Sequence, residues 1–476
     1  MADQIVGVTR FNGGIADSVK EGIRSAFSFA QAIDIHSEPS SFSPLPKSVL
    51  QPGSEDIGSV KWITCGVPYV QKMFALTEGG KLYESAIDSG SWVFLGTIPS
   101  NSGQGLEMFS DYLYYQSGTS LGRYGPLSGT PSFNNAFQSG LQDTLSIGYA
   151  PIKAFKTGVI VGHKNYVGYW DGSTWEAQKL KLPDSLWARS MALTSDYVAI
   201  GCSRLPVQQS AGGYVVLWDA LSKFPNEFLA VDDGAVNIVS DIEGQLVTVA
   251  GTKGVISAGY RPFRSIANIP YVDQFSSVEV LPGAVCKWNQ QTLIGVGGGV
   301  GDYYRGIYAL ASKSDKYPKV LSMDYVPSHG YTDSSSEVGS LFALGDRLYV
   351  GWKNGKKSGI DLVTASNGAA DGAFWRSFIF DDSTPGKEKI GDLVGVNFLP
   401  LTSGQSVEIW GSVDRQEMSL MAYTNEVGQK RLRAPFMGFS QGSAFYEFQW
   451  EVRVTGMVTV TFTGLSYSDQ RDSRAL

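Results

Sequence analysis

Three cysteines in 476 residues, Cys65, Cys202 and Cys286, are too few and too scattered for a disulfide framework. Each lies in or beside an apolar stretch, such as Ala199-Ile200-Gly201-Cys202, and reads as a buried free thiol. Histidine is equally scarce. His36, His163 and His329 stand in three separate segments with no cysteine or acid at metal-ligand spacing, so no metal site is expected. No run approaches the roughly 18 apolar residues of a membrane span. Met1 to Arg10 lacks the basic and apolar regions of a signal peptide, which predicts synthesis and assembly in a cytoplasm. Charged residues make up only 17% and the net charge is −7, which argues against a surface that grips duplex nucleic acid. It would suit a lumen past which nucleic acid slides without sticking.

What is plentiful is glycine (56 residues) and aromatic side chains (12%), within a 43% apolar chain ample for a core. These serve a repeat. A β-rich run, a Gly- or Asp-centred turn and a second β-rich run recur at roughly 38 to 55 residues, the range of propeller blades. The runs begin near Met73, Tyr112, Val159, Tyr197, Leu246, Leu293 and Leu348. Unit one, for example, reads Met73-Phe74-Ala75-Leu76-Thr77, Glu78-Gly79-Gly80, Lys81-Leu82-Tyr83-Glu84-Ser85. A blade cannot bury both faces alone, so successive blades stack around an axis. Seven units predict seven blades, although the short second unit leaves six or eight open. The longest connections, Ser203 to Gly213 and Gly297 to Arg305, should project from one face.

The pattern breaks at both ends. Residues 1–60 mix Phe27, Phe29, Ile33 and Ile35 with a Pro- and Ser-rich stretch from Ser37 to Pro46, and read as an extended arm. After Ala373 alternation of period two appears, as in Phe448-Gln449-Trp450-Glu451-Val452-Arg453-Val454, and predicts a separate antiparallel β-sandwich. The expected layout is all-β: arm 1–60, propeller 61–373 and sandwich 374–476.

Motifs that would carry chemistry are weak. Gly295-Val296-Gly297-Gly298-Gly299-Val300-Gly301 is followed by another strand, where a dinucleotide site requires a helix, and reads as a blade hairpin. Asp171-Gly172-Ser173-Thr174-Trp175 and Asp88-Ser89-Gly90-Ser91-Trp92 are similar to the Asp-box turns of sialidase propellers, which are structural and distant from catalysis. A glycosidase also needs facing carboxylates, and Asp232-Asp233 and Asp381-Asp382 read as solvated loop acids. Neither catalytic nor cofactor-binding residues are assigned. Trp187, Tyr303, Tyr304 and Tyr331 fall in expected loops and are candidate glycan or receptor contacts, with interface or core packing as the alternative.

The order of segments carries a resemblance. Phe11-Asn12-Gly13-Gly14-Ile15-Ala16-Asp17-Ser18, then Asp34-Ile35-His36-Ser37-Glu38-Pro39, resembles the opening of tailed-bacteriophage virion proteins that carry a propeller. Val394-Gly395-Val396-Asn397-Phe398, Leu401-Thr402-Ser403-Gly404-Gln405-Ser406-Val407 and Phe445-Tyr446-Glu447-Phe448-Gln449-Trp450 are similar to their C-terminal sandwich. The resemblance spans the layout through short motifs. It implies a structural part of the virion tail (nozzle, ring or tip), made in the host cytoplasm, that is no enzyme and needs no cofactor. Its partners would be copies of itself in a ring and other tail proteins, with a host surface glycan as a further contact. The rivals are a receptor- or glycan-binding propeller and a propeller glycoside hydrolase. A cellular scaffold of kelch or WD type is weakened because no blade repeats their signatures.

Overall fold

The computed structural model describes residues 4–15, 26–87, 90–99, 104–144, 148–204, 212–231, 234–242, 244–251, 254–259, 264–269, 280–298, 305–311, 319–329, 336–381, 387–436 and 444–469. The chain forms two compact units. One comprises Met1–Ser48, Tyr308–Val326 and Thr364–Leu476, the other Val49–Ile307 and Pro327–Val363.

The strands of the second unit, with Gly306–Ala311 and Val320–Tyr325 completing blade six, make a seven-bladed propeller. Blade one is an antiparallel sheet of Val60–Cys65, Lys72–Thr77, Lys81–Ala86 and Trp92–Thr97, in that order. The innermost strands of all seven are Val60–Cys65, Leu106–Phe109, Ile152–Phe155, Leu186–Leu193, Val236–Ile242, Val285–Trp288 and Glu337–Leu344. Each touches the next in cyclic order, and the seventh touches the first. The ring is closed. Every run singled out from the sequence is the second strand of its blade, one strand later than the blade's true start. Second strands are buried on both faces, as in Gly158–His163, and so carry the plainest apolar signal.

Closure depends on a segment that the sequence reading gave to the arm. Strand Ser48–Leu50 is the outer strand of blade seven, beside Lys357–Val363. The Gln51 N–H donates to Ile360 O at 2.8 Å, and Pro52 O accepts from the Trp92 N–H of blade one at 2.9 Å. Residues 49–60 thus belong to the propeller and fasten its last blade to its first. Lys61 and Glu337 then face each other across the seam in a buried ion pair of 3.0 Å, with Ser59 Oγ hydrogen-bonded to the same carboxylate. Burial opposes the Lys61 charge, but Glu337 outweighs it and the ammonium pKa stays above its ordinary value. Backbones approach closely here. A Cβ on Gly339 would lie 1.9 Å from Val60 O, and one on Gly283 would lie 2.0 Å from Lys61 O.

Buried polar groups also fix the linkers between blades. His163 accepts the Gln142 N–H at Nδ1 (2.9 Å) and faces Ala177 O with Nε2 (2.7 Å), so the neutral Nε2–H tautomer satisfies both ring nitrogens. In blade seven Asp361 accepts from the Ser328 N–H and Oγ, both at 2.7 Å, and from Trp352 Nε1 at 2.8 Å.

The first unit is a sandwich of two sheets, and residues 4–15 and 26–46 are built into it. Gln4–Val8 pairs with Val460–Asp469 on the edge of one sheet, followed by Lys389–Phe398 and Arg431–Pro435. In the other, Phe29–Gln31 lies between Val320–Tyr325 and Ala373–Arg376, followed by Phe448–Thr455, Ser406–Val413 and Ser419–Thr424. Between the sheets, Phe11 packs edge-on to Phe42 at 4.9 Å and to Trp375 at 5.8 Å. Phe11, Phe27, Ile33 and Ile35 share one core with Val394, Val407, Phe448 and Trp450. The domain limits therefore differ from 1–60, 61–373 and 374–476. Short N-terminal strands gain their burial from distant partners, which local sequence does not display.

Two predictions follow the packing. Glu337→Ala leaves the Lys61 ammonium buried and unpaired, and should cost about 3–5 kcal/mol in urea unfolding. A Lys61→Met/Glu337→Leu double variant should recover most of it. Burial lowers the His163 pKa to about 4, against the opposing pull of Ala177 O. Its folded pKa lies below the unfolded 6.5, so the stabilisation is complete above pH 6.5 and declines as pH falls towards 4. Relative to His163→Gln, the native chain should lose stability over that window, on the order of 3 kcal/mol, by thermal melts at stepped pH.

Candidate functional site

The seven inner strands enclose the central channel. Strand alternation turns every second side chain of an inner strand towards the axis, and in four blades that side chain is charged. Lys153 Nζ stands 3.4 Å from Glu107 Oε2, and Lys287 Nζ stands 3.5 Å from Asp241 Oδ1. Both separations exceed the 2.7–2.9 Å of a tight charge-assisted bond, so these are loose pairs. Burial pushes the Glu107 carboxyl above its ordinary value, with Lys153 and the Ala154 N–H opposing. The described inner strands also carry Lys61, Arg189 and Glu337, so charges of both signs stand around the ring.

Part of the channel is a cavity of about 290 Å³, lined by Thr64, Glu107, Lys153, Met191, Lys287 and Phe342 among others. That is room for a small molecule, below the size of most ligand clefts. Its lining carries charges of both signs, Glu107 against Lys153 and Lys287. Cys286 also lines it, but burial raises the thiol pKa, so the sulfur stays protonated and a poor nucleophile.

Trp187 lies at the start of the inner strand Leu186–Leu193, half-buried, with Lys164 Nζ 5.6 Å from its ring centroid. It is a packed residue as much as a presented one. Tyr303, Tyr304 and Tyr331 lie outside the described residues, as do Asp232, Asp233, Asp382, Asp88 and Ser89 and most of the two long connections. Those connections join the second and third strands of blades four and six. Asp171 is a turn residue: its Oδ1 accepts from the Ser173 N–H at 2.8 Å and the Thr174 N–H at 2.6 Å, which lower its pKa. Gly295 and Gly297 are packing glycines, whose Cβ atoms would meet Val338 at 2.4 Å and Glu337 at 2.5 Å.

The histidines are separate. His36 Nε2 meets Ser322 Oγ at 2.9 Å, and that hydroxyl also bonds Asp324. Burial lowers the His36 pKa to about 4 against the pull of Asp34, and it raises that of Asp324, so the three groups form a buried hydrogen-bonded network of uncharged side chains. His329 packs edge-on to Trp352 at 5.2 Å. Among the described residues no group of three or more His, Cys, Asp or Glu is placed to hold a metal ion. Sequence reasoning missed the four channel charges. Their only signal is a charge inside a short β-run, as in Leu106-Glu107-Met108-Phe109 and Val285-Cys286-Lys287-Trp288.

No family model matches the chain, and no curated protein matches it in sequence. Solved propellers are similar in shape. The Pan2 WD40 domain of Neurospora crassa aligns at TM-score 0.45 and 12% identity, over 69% of this chain and 98% of its own. A chain of the Mitotic Checkpoint Complex aligns at 0.45 and 15%, over 67% and 94%. YCF48 bound to D1 peptide aligns at 0.44 and 9%, over 71% and 98%. At this level of likeness none of them bears on activity, and the propeller is read from its own closed ring of inner strands.

Proposed function

We propose that this chain is a structural component of a tailed-phage virion, a homo-oligomeric part of the tail such as a nozzle, ring or tip. In this reading it is no enzyme and needs no cofactor. Its partners are copies of itself and neighbouring tail proteins, and it is made in the host cytoplasm before joining the virion. Host attachment through a surface glycan is the secondary role.

One observation supports the reading above the others. The short motifs that resemble virion proteins lie at opposite ends of the sequence, and they meet in one core. Phe11 of the first motif is fully buried against Phe42 and Trp375. Gly14 has φ +76° and a Cβ there would stand 2.7 Å from Val320 Cβ, so the Gly-Gly-Ile turn is a packing requirement. The Ile15 N–H donates to Leu321 O at 2.9 Å. Asp34 Oδ1 accepts from the His36 and Ser37 N–H groups, both at 2.9 Å, and fixes the turn ahead of Pro39. Val394, Val396, Phe398, Val407, Phe445 and Trp450 of the C-terminal motifs complete the same core. Residues that fold as one body form a joint signature, which lends weight to a resemblance carried by short motifs.

In this reading the genome passes through a lumen made by several copies. Mass photometry and negative-stain microscopy of the purified chain test this. A closed ring of several copies around an open lumen is expected. A monomer at every concentration, or turnover of bacterial surface glycans, would overturn the proposal.

A further inference from the structure

The turn between the third and fourth strands of blade four, Asp219 to Asn226, exposes two large apolar side chains. Leu221 is 73% exposed and Phe224 is 77% exposed. The turn is nonetheless rigidly held. Asp219 Oδ1 accepts from the Leu221 N–H at 2.8 Å and the Ser222 N–H at 2.9 Å, and Asn226 Oδ1 accepts from the Asp219 N–H at 2.8 Å. Trp218, fully buried, donates its indole N–H to Ser222 O at 2.9 Å. A turn braced in this way presents its side chains without an ordering cost on binding. Burying either would be favourable, so leaving both in water suits a contact made elsewhere.

The sandwich unit carries a matching concavity. On the outward face of its first sheet, Gly7 lies opposite Gly464, and Gly464 opposite Gly395. Three adjacent strands thus lack side chains of their own at one level, and the Phe462 ring lies across Gly7 and Gly464, within 2.7–2.8 Å of where their Cβ atoms would be. The resulting trough is about 330 Å³, bordered by Ile5, Leu393, Phe462, Arg431 and Arg433. Ile5 is 72% exposed, and both arginines are exposed. The charges are complementary. Asp196 and Asp219 flank the protruding turn with Lys223 as the one cation between 194–197 and 219–226, against two guanidinium groups at the trough.

We propose that Leu221 and Phe224 of one copy seat in the trough beside Ile5, Leu393 and Phe462 of a second copy, forming the centre of a head-to-tail contact. A protrusion and a recess on different surfaces make a heterologous interface, the kind that repeats into a ring or an open filament. The inference rests on the homo-oligomeric reading above and names the surface that would build it. A rigid aromatic in an apolar recess, rimmed by opposite charges, is the composition of an interface hot spot.

The test uses the full chain. Phe224→Asp should weaken self-association about thirtyfold by mass photometry, the loss of one hot-spot side chain, with the thermal melt unchanged because the side chain is exposed. Phe224→Cys and Ile5→Cys chains, mixed and oxidised, should give a cross-linked dimer that neither gives alone. An assembly that keeps its mass in Phe224→Asp and yields no mixed cross-link would overturn this contact while leaving the ring reading intact. The mixed cross-link within open filaments would uphold the contact and overturn the ring. A native chain that stays monomeric and uncross-linked would overturn both.

Discussion

Everything in the propeller depends on how its ring is closed. Seven blades stacked around an axis leave one seam where the two ends of the repeat meet, and non-covalent strand pairing within the last blade holds it. Here the seam is built from residues 48–61 on one side and 337–363 on the other. Strand Ser48–Leu50 completes blade seven, and residues 51–59 then lead directly into blade one. The Lys61–Glu337 pair sits at the same junction, and Gly283 and Gly339 let backbones meet there. An ion pair in so dry a place contributes little net energy, but it penalises any register in which either charge is left alone. The seam is therefore selective before it is strong.

Much of this was legible in the sequence, and the omissions have a common cause. The second strand of each blade has neighbours on both sides and on both faces, so it reads as an unbroken apolar run such as Val159-Ile160-Val161-Gly162. The inner strand has one face on the channel and accepts Glu107, Lys153 or Lys287, which dilutes its pattern. The outer strand has an open edge. Ser132–Ser139 alternates exposed and half-buried residues and carries no apolar run at all. Counting second strands gave the correct number of blades, yet set each boundary one strand late. Arg431–Pro435 went unseen for the same reason, since two of its alternating outward positions are arginines.

The end segments show the limit of local reading more sharply. Phe27, Phe29, Ile33 and Ile35 were too apolar to be solvated, which placed them against something. Much of what they pack against lies roughly 290 to 430 residues away, such as Val320, Trp375 and Trp450, and no local pattern encodes it. Of the candidate contact aromatics, only Trp187 falls on described residues, and it is half-buried beside Lys164. Candidates picked for chemical type alone thus yielded less than the braced turn at Leu221 and Phe224. That turn is identified by its hydrogen bonds and exposure together, which only coordinates combine.

The central claim is that residues 48–61 are an integral part of the closed ring rather than a detachable arm. Native-state hydrogen exchange, resolved by residue, tests it most directly. The amides of Gln51, Asp56 and Ile63 should exchange only through the opening that also exposes the second strands of blades one and seven, Lys72–Thr77 and Arg347–Asn354. Early exchange of Gln51 and Asp56 while both of those strands remain protected would contradict the account.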